Sequence, residues 1–221
     1  IFRRRHNWLL CWLYLGTFGS FIGFAATLPL LIQGQFPQAE VLRVAWLGPL
    51  VGALARPLGG WLADHWGGAR VTLWSFVAMT AGVLLLLAAL PGAGALGLQA
   101  GFPAGVLAAS ALLFAGAGIG NGSTFRMIPL VFVADRRRAA ANDPAAQERA
   151  ARDGMREASA ALGFASALGA YGGFFIPKSV GTSIALTGGP TAALVLFTLF
   201  YLSCIGVTWW FYARRFAPLP C

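Results

Sequence analysis

LGPLVGALARPLGGWLAD, residues 47–64, places Arg56 near the middle of an apolar stretch that is long enough to cross a lipid bilayer. Asp64, at its end, is the only acidic residue in the stretch. A cation in hydrocarbon costs about 2.5–3.5 kcal/mol on insertion scales, so such a residue normally faces a cavity and has a function there. The stretch therefore predicts a membrane helix whose arginine takes its counter-charge from an arriving anion.

The composition of the chain is typical of a membrane protein. The 221 residues are 58% hydrophobic and only 10% charged, whereas soluble domains carry about 25% charged residues. The net charge of +9 would suit a nucleic-acid partner, but the placement of the basic residues argues against one. The three cysteines have neither the spacing of a disulfide framework nor that of a metal site, and we expect no metal and no cofactor.

Apolar segments of about 20 residues recur along the chain, and each is long enough to span a bilayer as a helix. We predict an all-α membrane protein with six transmembrane helices. The predicted spans are residues 8–32, 41–63, 71–90, 102–133, 158–180 and 190–212. Residues 135–156 form the one sizeable polar segment, which we expect to be a cytoplasmic loop with a short surface helix.

The basic residues predict the orientation of these spans. Six crossings place twelve of them on one side of the membrane: Arg3, Arg4, Arg5, Arg70, Arg136, Arg137, Arg138, Arg149, Arg152, Arg156, Arg214 and Arg215. Only Arg43 and Lys178 fall on the other side, and Arg56 and Arg126 lie within the membrane. By the positive-inside rule, both ends of this chain are expected in the cytoplasm.

Arg56 is the leading candidate for a binding residue. It lies eight residues before Asp64, or roughly 12 Å into the membrane at helical rise. A guanidinium is planar, always charged and matched to a planar oxyanion. The alternative is an arginine that snorkels, or one that satisfies backbone carbonyls freed by Pro57.

Other candidates are less specific on spacing alone. Tyr14 and Phe18 lie one helical turn apart and hence on one face, where they wall a small anion or simply pack. Asn121 is a polar residue in the glycine-dense segment 116–129, and Arg126 either lines an exit path or snorkels. Gly172 and Gly173 belong to a run of small residues that suits either a sliding helix or close packing.

Asp64 and Arg70 bracket a glycine turn, where we expect the carboxylate to cap a neighbouring helix. GGWLADHWGGAR, residues 59–70, resembles the cytoplasmic-loop motif of the major facilitator superfamily. Residues 48–60, 118–129 and 172–188 resemble the C-terminal half of the nitrate/nitrite porter family, and the similarity runs over essentially the whole chain.

The resemblance implies one half of a major facilitator fold, built from two inverted three-helix repeats. It implies that Arg56 is one of two substrate-binding arginines, and that Tyr14 and Phe18 are the ring contacts. Gly163 and Ser166 match the glycine-rich signature beside the substrate. The expected partners are nitrate, nitrite, the lipid bilayer of the inner membrane and an N-terminal six-helix half that carries the second arginine.

The two arginines that the resemblance implies would form a buried cation pair, which is unfavourable when empty. Binding of an anion offsets that cost, and this favours exchange of nitrate for nitrite. Proton-coupled symport is the first alternative, although no carboxylate lies mid-span to carry the proton. A carrier for another small solute and a non-transporting membrane subunit remain further alternatives. No nucleophile–base set is visible, so an enzyme is not expected.

Overall fold

A computed structural model of the chain describes residues 1–35, 45–90, 103–141 and 143–214, all of whose regular structure is helical. Two π-helical turns, Leu15–Gly19 and Trp209–Ala213, continue α-helices. The α-helices are α1 (Arg5–Tyr14), α2 (Ser20–Gln35), α3 (Leu47–Trp66), α4 (Gly68–Ala89), α5 (Pro103–Ala139), α6 (Pro144–Ala170), α7 (Gly172–Thr187) and α8 (Thr191–Thr208).

Within the described residues, five helical segments are long and apolar enough to cross a membrane. They are Arg5–Gly34, Gly68–Ala89, Gly105–Ala139, Pro144–Thr187 and Thr191–Ala213. The prediction of an all-helical membrane protein is therefore confirmed. The second predicted span corresponds to α3, which is not among the five; Arg56 and Asp64 lower its hydropathy. Parts of two predicted spans, residues 41–44 and 102, lie outside the described residues. The same is true of two basic residues used for the orientation, Arg43 and Arg215.

The polar segment differs from the predicted loop of residues 135–156. Helix α5 continues to Ala139 and α6 begins at Pro144, so most of the segment extends these two helices. The side chain of Asp143 accepts a hydrogen bond of 3.0 Å from the Ala146 amide, and Pro144 occupies the first turn, where its missing N–H costs nothing. The many alanines favour helix on both sides of this break.

The predicted fifth span is divided in the structure. Helix α6 ends at Ala170 and α7 begins at Gly172, with Tyr171 between them in a helical conformation. Helix α7 packs against α2 at this break, where a Cβ atom on Gly172 would overlap the backbone of Gly19. The glycines allow the two backbones to meet directly.

Helix α5 lies at the centre of the bundle and packs along both α3 and α4. At its crossing with α3, a Cβ atom on Gly118 would overlap the carbonyl oxygen of Gly52, and one on Gly59 would overlap that of Ile119. No side chains separate the two backbones at these glycines, so the backbone of α5 fixes the position of α3. Arg56 lies within this crossing.

Candidate functional site

The first wall of the site is an aromatic pair at the π-helical turn. The ring centroids of Tyr14 and Phe18 lie 5.3 Å apart at an interplanar angle of 41°. The prediction that these two side chains share a face is therefore confirmed. Tyr14 is 1% exposed, whereas Phe18 is half-buried. The turn Leu15–Gly19 that carries Phe18 was not predicted; such π turns inside α-helices are frequent at functional sites.

Arg56 lies beside this pair. Its guanidinium carbon is 5.7 Å from the centroid of the Phe18 ring, within the range of a cation–π contact. Among the described residues, no ion pair or hydrogen bond to its side chain is present. A Cβ atom on Gly122 would overlap the Arg56 carbonyl oxygen, so α5 fixes the backbone from which the guanidinium extends.

Helix α6 makes room for the aromatic pair at Gly169. A Cβ atom there would lie 2.8 Å from the Phe18 ring and 3.4 Å from the Tyr14 ring. Sequence reasoning did not single out this residue, although the spacing by threes of Gly163, Ser166 and Gly169 was visible. A Cβ atom on Gly163 would meet nothing within 4 Å, and Ser166 is half-buried. Both stay predicted contacts of the site.

Asn121 is 1% exposed, and its Oδ1 atom has no hydrogen-bond partner among the described residues. The unpartnered atom is an acceptor, whereas an anion requires the donors of the amide. Its neighbours form a satisfied polar cluster, in which the Thr72 and Ser123 hydroxyls lie 2.7 Å apart and those of Thr17 and Thr124 lie 3.3 Å apart. The substrate-binding role of Asn121 stays a prediction.

The end of the bundle at the α3–α4 turn holds a paired and an unpaired arginine. Arg126 donates from Nε to Asp64 Oδ1 over 3.0 Å and from Nη2 to Oδ2 over 2.5 Å. This replaces the expected helix cap: Gly67 precedes α4 with no side-chain cap, because the fork of Arg126 engages both carboxylate oxygens. No hydrogen bond or ion pair to the exposed Arg70 is present in the described part of the chain.

Gly172 and Gly173, predicted to take part in conformational change, both lie against the first helical segment. Gly172 contacts Gly19, and a Cβ atom on Gly173 would lie 2.9 Å from Cγ2 of Ile22. These contacts explain the small residues by packing and leave their role in motion a prediction. Within the described ranges, no three His, Cys, Asp or Glu side chains are grouped to hold a metal ion.

The structure thus brings Tyr14, Phe18 and Arg56 together, with Gly169 beside them. A free guanidinium edge next to aromatic rings can hold a small planar anion by parallel N–H donors, while the rings exclude water.

Comparisons with known proteins identify the family of the chain. No family model matches the chain. It is 47% identical over 219 residues to the nitrate/nitrite transporter NarU of Salmonella typhimurium, covering 97% of this chain and 46% of that protein. The corresponding values are 44%, 97% and 46% for NarU of Escherichia coli, and 36%, 100% and 45% for the probable nitrate/nitrite antiporter NarK2 of Thermus thermophilus. The chain therefore belongs to the nitrate/nitrite porter family and spans about half the length of the curated relatives it matches.

Proposed function

We propose that this chain is the C-terminal six-helix half of a transporter that exchanges nitrate for nitrite by alternating access, with Arg56 binding the anion. One observation carries the proposal: the Arg56 guanidinium lies over the Phe18 ring without a carboxylate partner among the described residues. The names of the relatives support nitrate and nitrite as the substrates.

The shape of the site suits a small planar oxyanion. Two parallel N–H groups of Arg56 match two oxygens of nitrate or nitrite. Phe18 flanks the guanidinium, and Tyr14 supplies a phenol that can donate to the third oxygen of nitrate. A larger solute would need more space, and it would need polar groups in the positions that these two rings occupy. This favours nitrate and nitrite over other small solutes.

Exchange is favoured over proton symport by the absence of a mid-span acid. The seven acidic residues of the sequence are Glu40, Asp64, Asp135, Asp143, Glu148, Asp153 and Glu157. None lies within a predicted apolar span; Asp64 directly follows the second span, in the last turn of α3, where it pairs with Arg126. Empty, the site holds an uncompensated cation. Arg56 is exposed in this chain, so an unpaired charge becomes costly when further helices cover it. A bound anion offsets that cost, and the loaded carrier is therefore the one that changes conformation.

A sixth crossing by α3 and an inverted repeat are supported by the pattern of helix contacts. The first span packs against the fifth, at Gly19 and Gly172, and the second span packs against the fourth, at Gly59 and Ile119. Inversion of two three-helix repeats exchanges span one with span four and span two with span five. The two glycine crossings are therefore equivalent in such a repeat.

A cytoplasmic location for both ends of this chain is supported by ion pairs at one end of the bundle. Arg4 pairs with Asp135, and its Nη2 lies 3.3 Å from Glu157. The residue before α1, the end of α5 and the middle of α6 therefore lie together, which supports an even number of crossings between the first span and this point. The basic residues at this end support a cytoplasmic location for it, and we propose that the protein lies in the inner membrane.

An N-terminal half as the partner is supported by apolar surface at the α6–α7 break. Tyr171, Phe174 and Phe175 are each more than half exposed. Aromatic side chains clustered at a helix break are suited to a contact with further helices. The second substrate-binding arginine is expected in that half.

The test is a counterflow experiment with the full-length carrier in proteoliposomes. Vesicles loaded with nitrite, and empty vesicles, receive external nitrate with and without a pH gradient. Exchange predicts nitrate uptake that requires internal nitrite and ignores the gradient.

Uptake into empty vesicles that follows the gradient would establish symport instead. Uptake of another solute, with nitrate excluded, would indicate a different carrier. A folded protein that moves no solute, and that nitrate does not stabilise, would indicate a non-transporting subunit.

A further inference from the structure

A groove of about 540 Å³ lies where α3, α4 and α5 meet, beside the turn that joins α3 to α4. This volume falls in the range of sites that hold drug-sized molecules. Arg70, Trp66 and Trp74 line it near the turn, and Ala78, Leu112 and Ala115 are among its apolar lining residues. From Arg70 to Ala78 the groove follows α4 for about 12 Å.

The charge at this groove has no partner within the protein. Arg126, on the neighbouring α5, is neutralised by Asp64 through two hydrogen bonds. Arg70 has no such carboxylate among the residues that the structure describes, and its side chain is exposed at the groove. An anion in the groove would therefore meet an available guanidinium.

The groove is separate from the candidate anion site. Leu62 lines the groove six residues after Arg56, which turns it about 120° around α3 from the arginine. The two tryptophans are 65% and 67% exposed. Tryptophan is enriched where membrane headgroups meet the hydrocarbon, so this part of the groove has the character of a membrane interface.

We propose that the α3–α4–α5 groove binds an anionic glycerophospholipid, with its phosphate at Arg70 and an acyl chain along the apolar wall. In the orientation proposed above, this lipid comes from the cytoplasmic leaflet. A cation at the headgroup level above an apolar channel matches the two ends of such a lipid. The inference depends on the chain lying in a membrane and not on which anion it transports.

The experiment titrates the delipidated full-length carrier in detergent with dioleoyl phosphatidylglycerol or dioleoyl phosphatidylcholine and counts bound lipids by native mass spectrometry. Phosphatidylglycerol is expected to bind about tenfold more tightly to the unaltered protein than to Arg70→Gln. The matched control is Arg137→Gln, which removes another exposed arginine outside the groove and should leave the affinity unchanged.

Two further measurements distinguish a lipid in the groove from a free phosphate. Ala115→Phe fills the apolar wall and keeps Arg70, so it should weaken lipid binding; Ala78→Phe serves the same purpose if the first variant does not fold. Glycerol 3-phosphate should leave the bound lipid in place at equal concentration. The proposal is overturned by equal affinity in Arg70→Gln, by an equal loss in Arg137→Gln, by unaltered binding in a folded Phe variant, or by displacement with glycerol 3-phosphate.

Discussion

Around the candidate site, the glycines of α5 and of α6 have opposite roles, whereas Gly172 of α7 meets the Gly19 backbone as the α5 glycines meet α3. In α5, Gly118 and Gly122 bring the backbone into direct contact with α3, beside Arg56. In α6, Gly163 borders open space, and Gly169 makes room for the rings of the site. The two α5 glycines therefore fix the position of the α3 backbone, and the two α6 glycines leave space for other groups.

Burial shows the same division. In an apolar 18-residue window of the α5 segment Gly105–Ala139, 61% of the residues are buried inside the bundle, compared with 28% in the corresponding window of Pro144–Thr187, which contains α6 and α7. A helix in the centre of the bundle can hold a charged residue in place, since its neighbours cannot shift independently. The exposed segment is left to meet substrate, lipid or a further set of helices.

The largest effect is expected from closing the α3–α5 contact. In Gly122→Ala, the new methyl group would overlap the Arg56 carbonyl oxygen, and separating the two backbones should cost about 3 kcal/mol. We expect a clear drop in Tm for the purified full-length carrier, together with loss of nitrate binding.

Gly163→Ala is the matched control, because its methyl group would meet nothing within 4 Å. Its Tm should stay within about 1 °C of the unaltered protein. A similar loss of Tm in both variants would contradict the distinction between Gly122, which makes a backbone contact, and Gly163, which borders open space.

The next effect should be confined to binding. In Arg56→Lys the charge remains but the fork geometry is lost, so nitrate affinity should fall by about tenfold to a hundredfold, with no change in Tm. Binding is measured by calorimetry on the full-length carrier, with Arg137→Lys as a control at an exposed position. Near-normal affinity in Arg56→Lys would remove the arginine from the proposed site.

The parts of this site that the sequence predicted depend on local rules. Arg56 was predictable because a charge in an apolar stretch is costly wherever the helix lies. The pairing of Tyr14 with Phe18 followed from helical spacing alone, even though the π turn between them alters the local geometry. Their proximity to Arg56 was implied only by the family resemblance.

The parts that the sequence did not predict depend on contacts between distant residues. Asp64 and Arg126 are 62 positions apart, and no spacing rule connects them. The role of Gly169 depends on which helix faces it, which a run of small residues does not specify. The continuation of α5 across residues 135–139 was missed because the charges of the segment indicated a loop, whereas its helix-forming residues and the ion pair of Arg136 with Glu157 of α6 favour helix.

A smaller effect is expected at the end of the bundle where Asp64 pairs with Arg126. Asp64→Asn removes the charge partner of Arg126, but both side chains are exposed, so Tm should change little. If the pair stabilises one conformation of the transport cycle, the rate of exchange should change by about twofold to fivefold. Adding Arg126→Gln to Asp64→Asn should then change the rate no further. Arg152→Gln, which breaks an exposed pair with Glu148, is the control; an equal change there would assign the effect to surface charge.

The smallest effect distinguishes a binding hydroxyl from a packing one. Tyr14→Phe keeps the ring that packs against Phe18, so only a hydrogen bond to the anion is lost and nitrate affinity should fall by about threefold to tenfold. Tyr201→Phe is the matched control, since its hydroxyl is also buried and donates to Ser20 over 2.7 Å. That variant should lower Tm and leave affinity unchanged. If Tyr14→Phe instead lowers Tm with full affinity, the Tyr14 ring belongs to the frame of the bundle, and the open side of the site is formed by Phe18 and Arg56 alone.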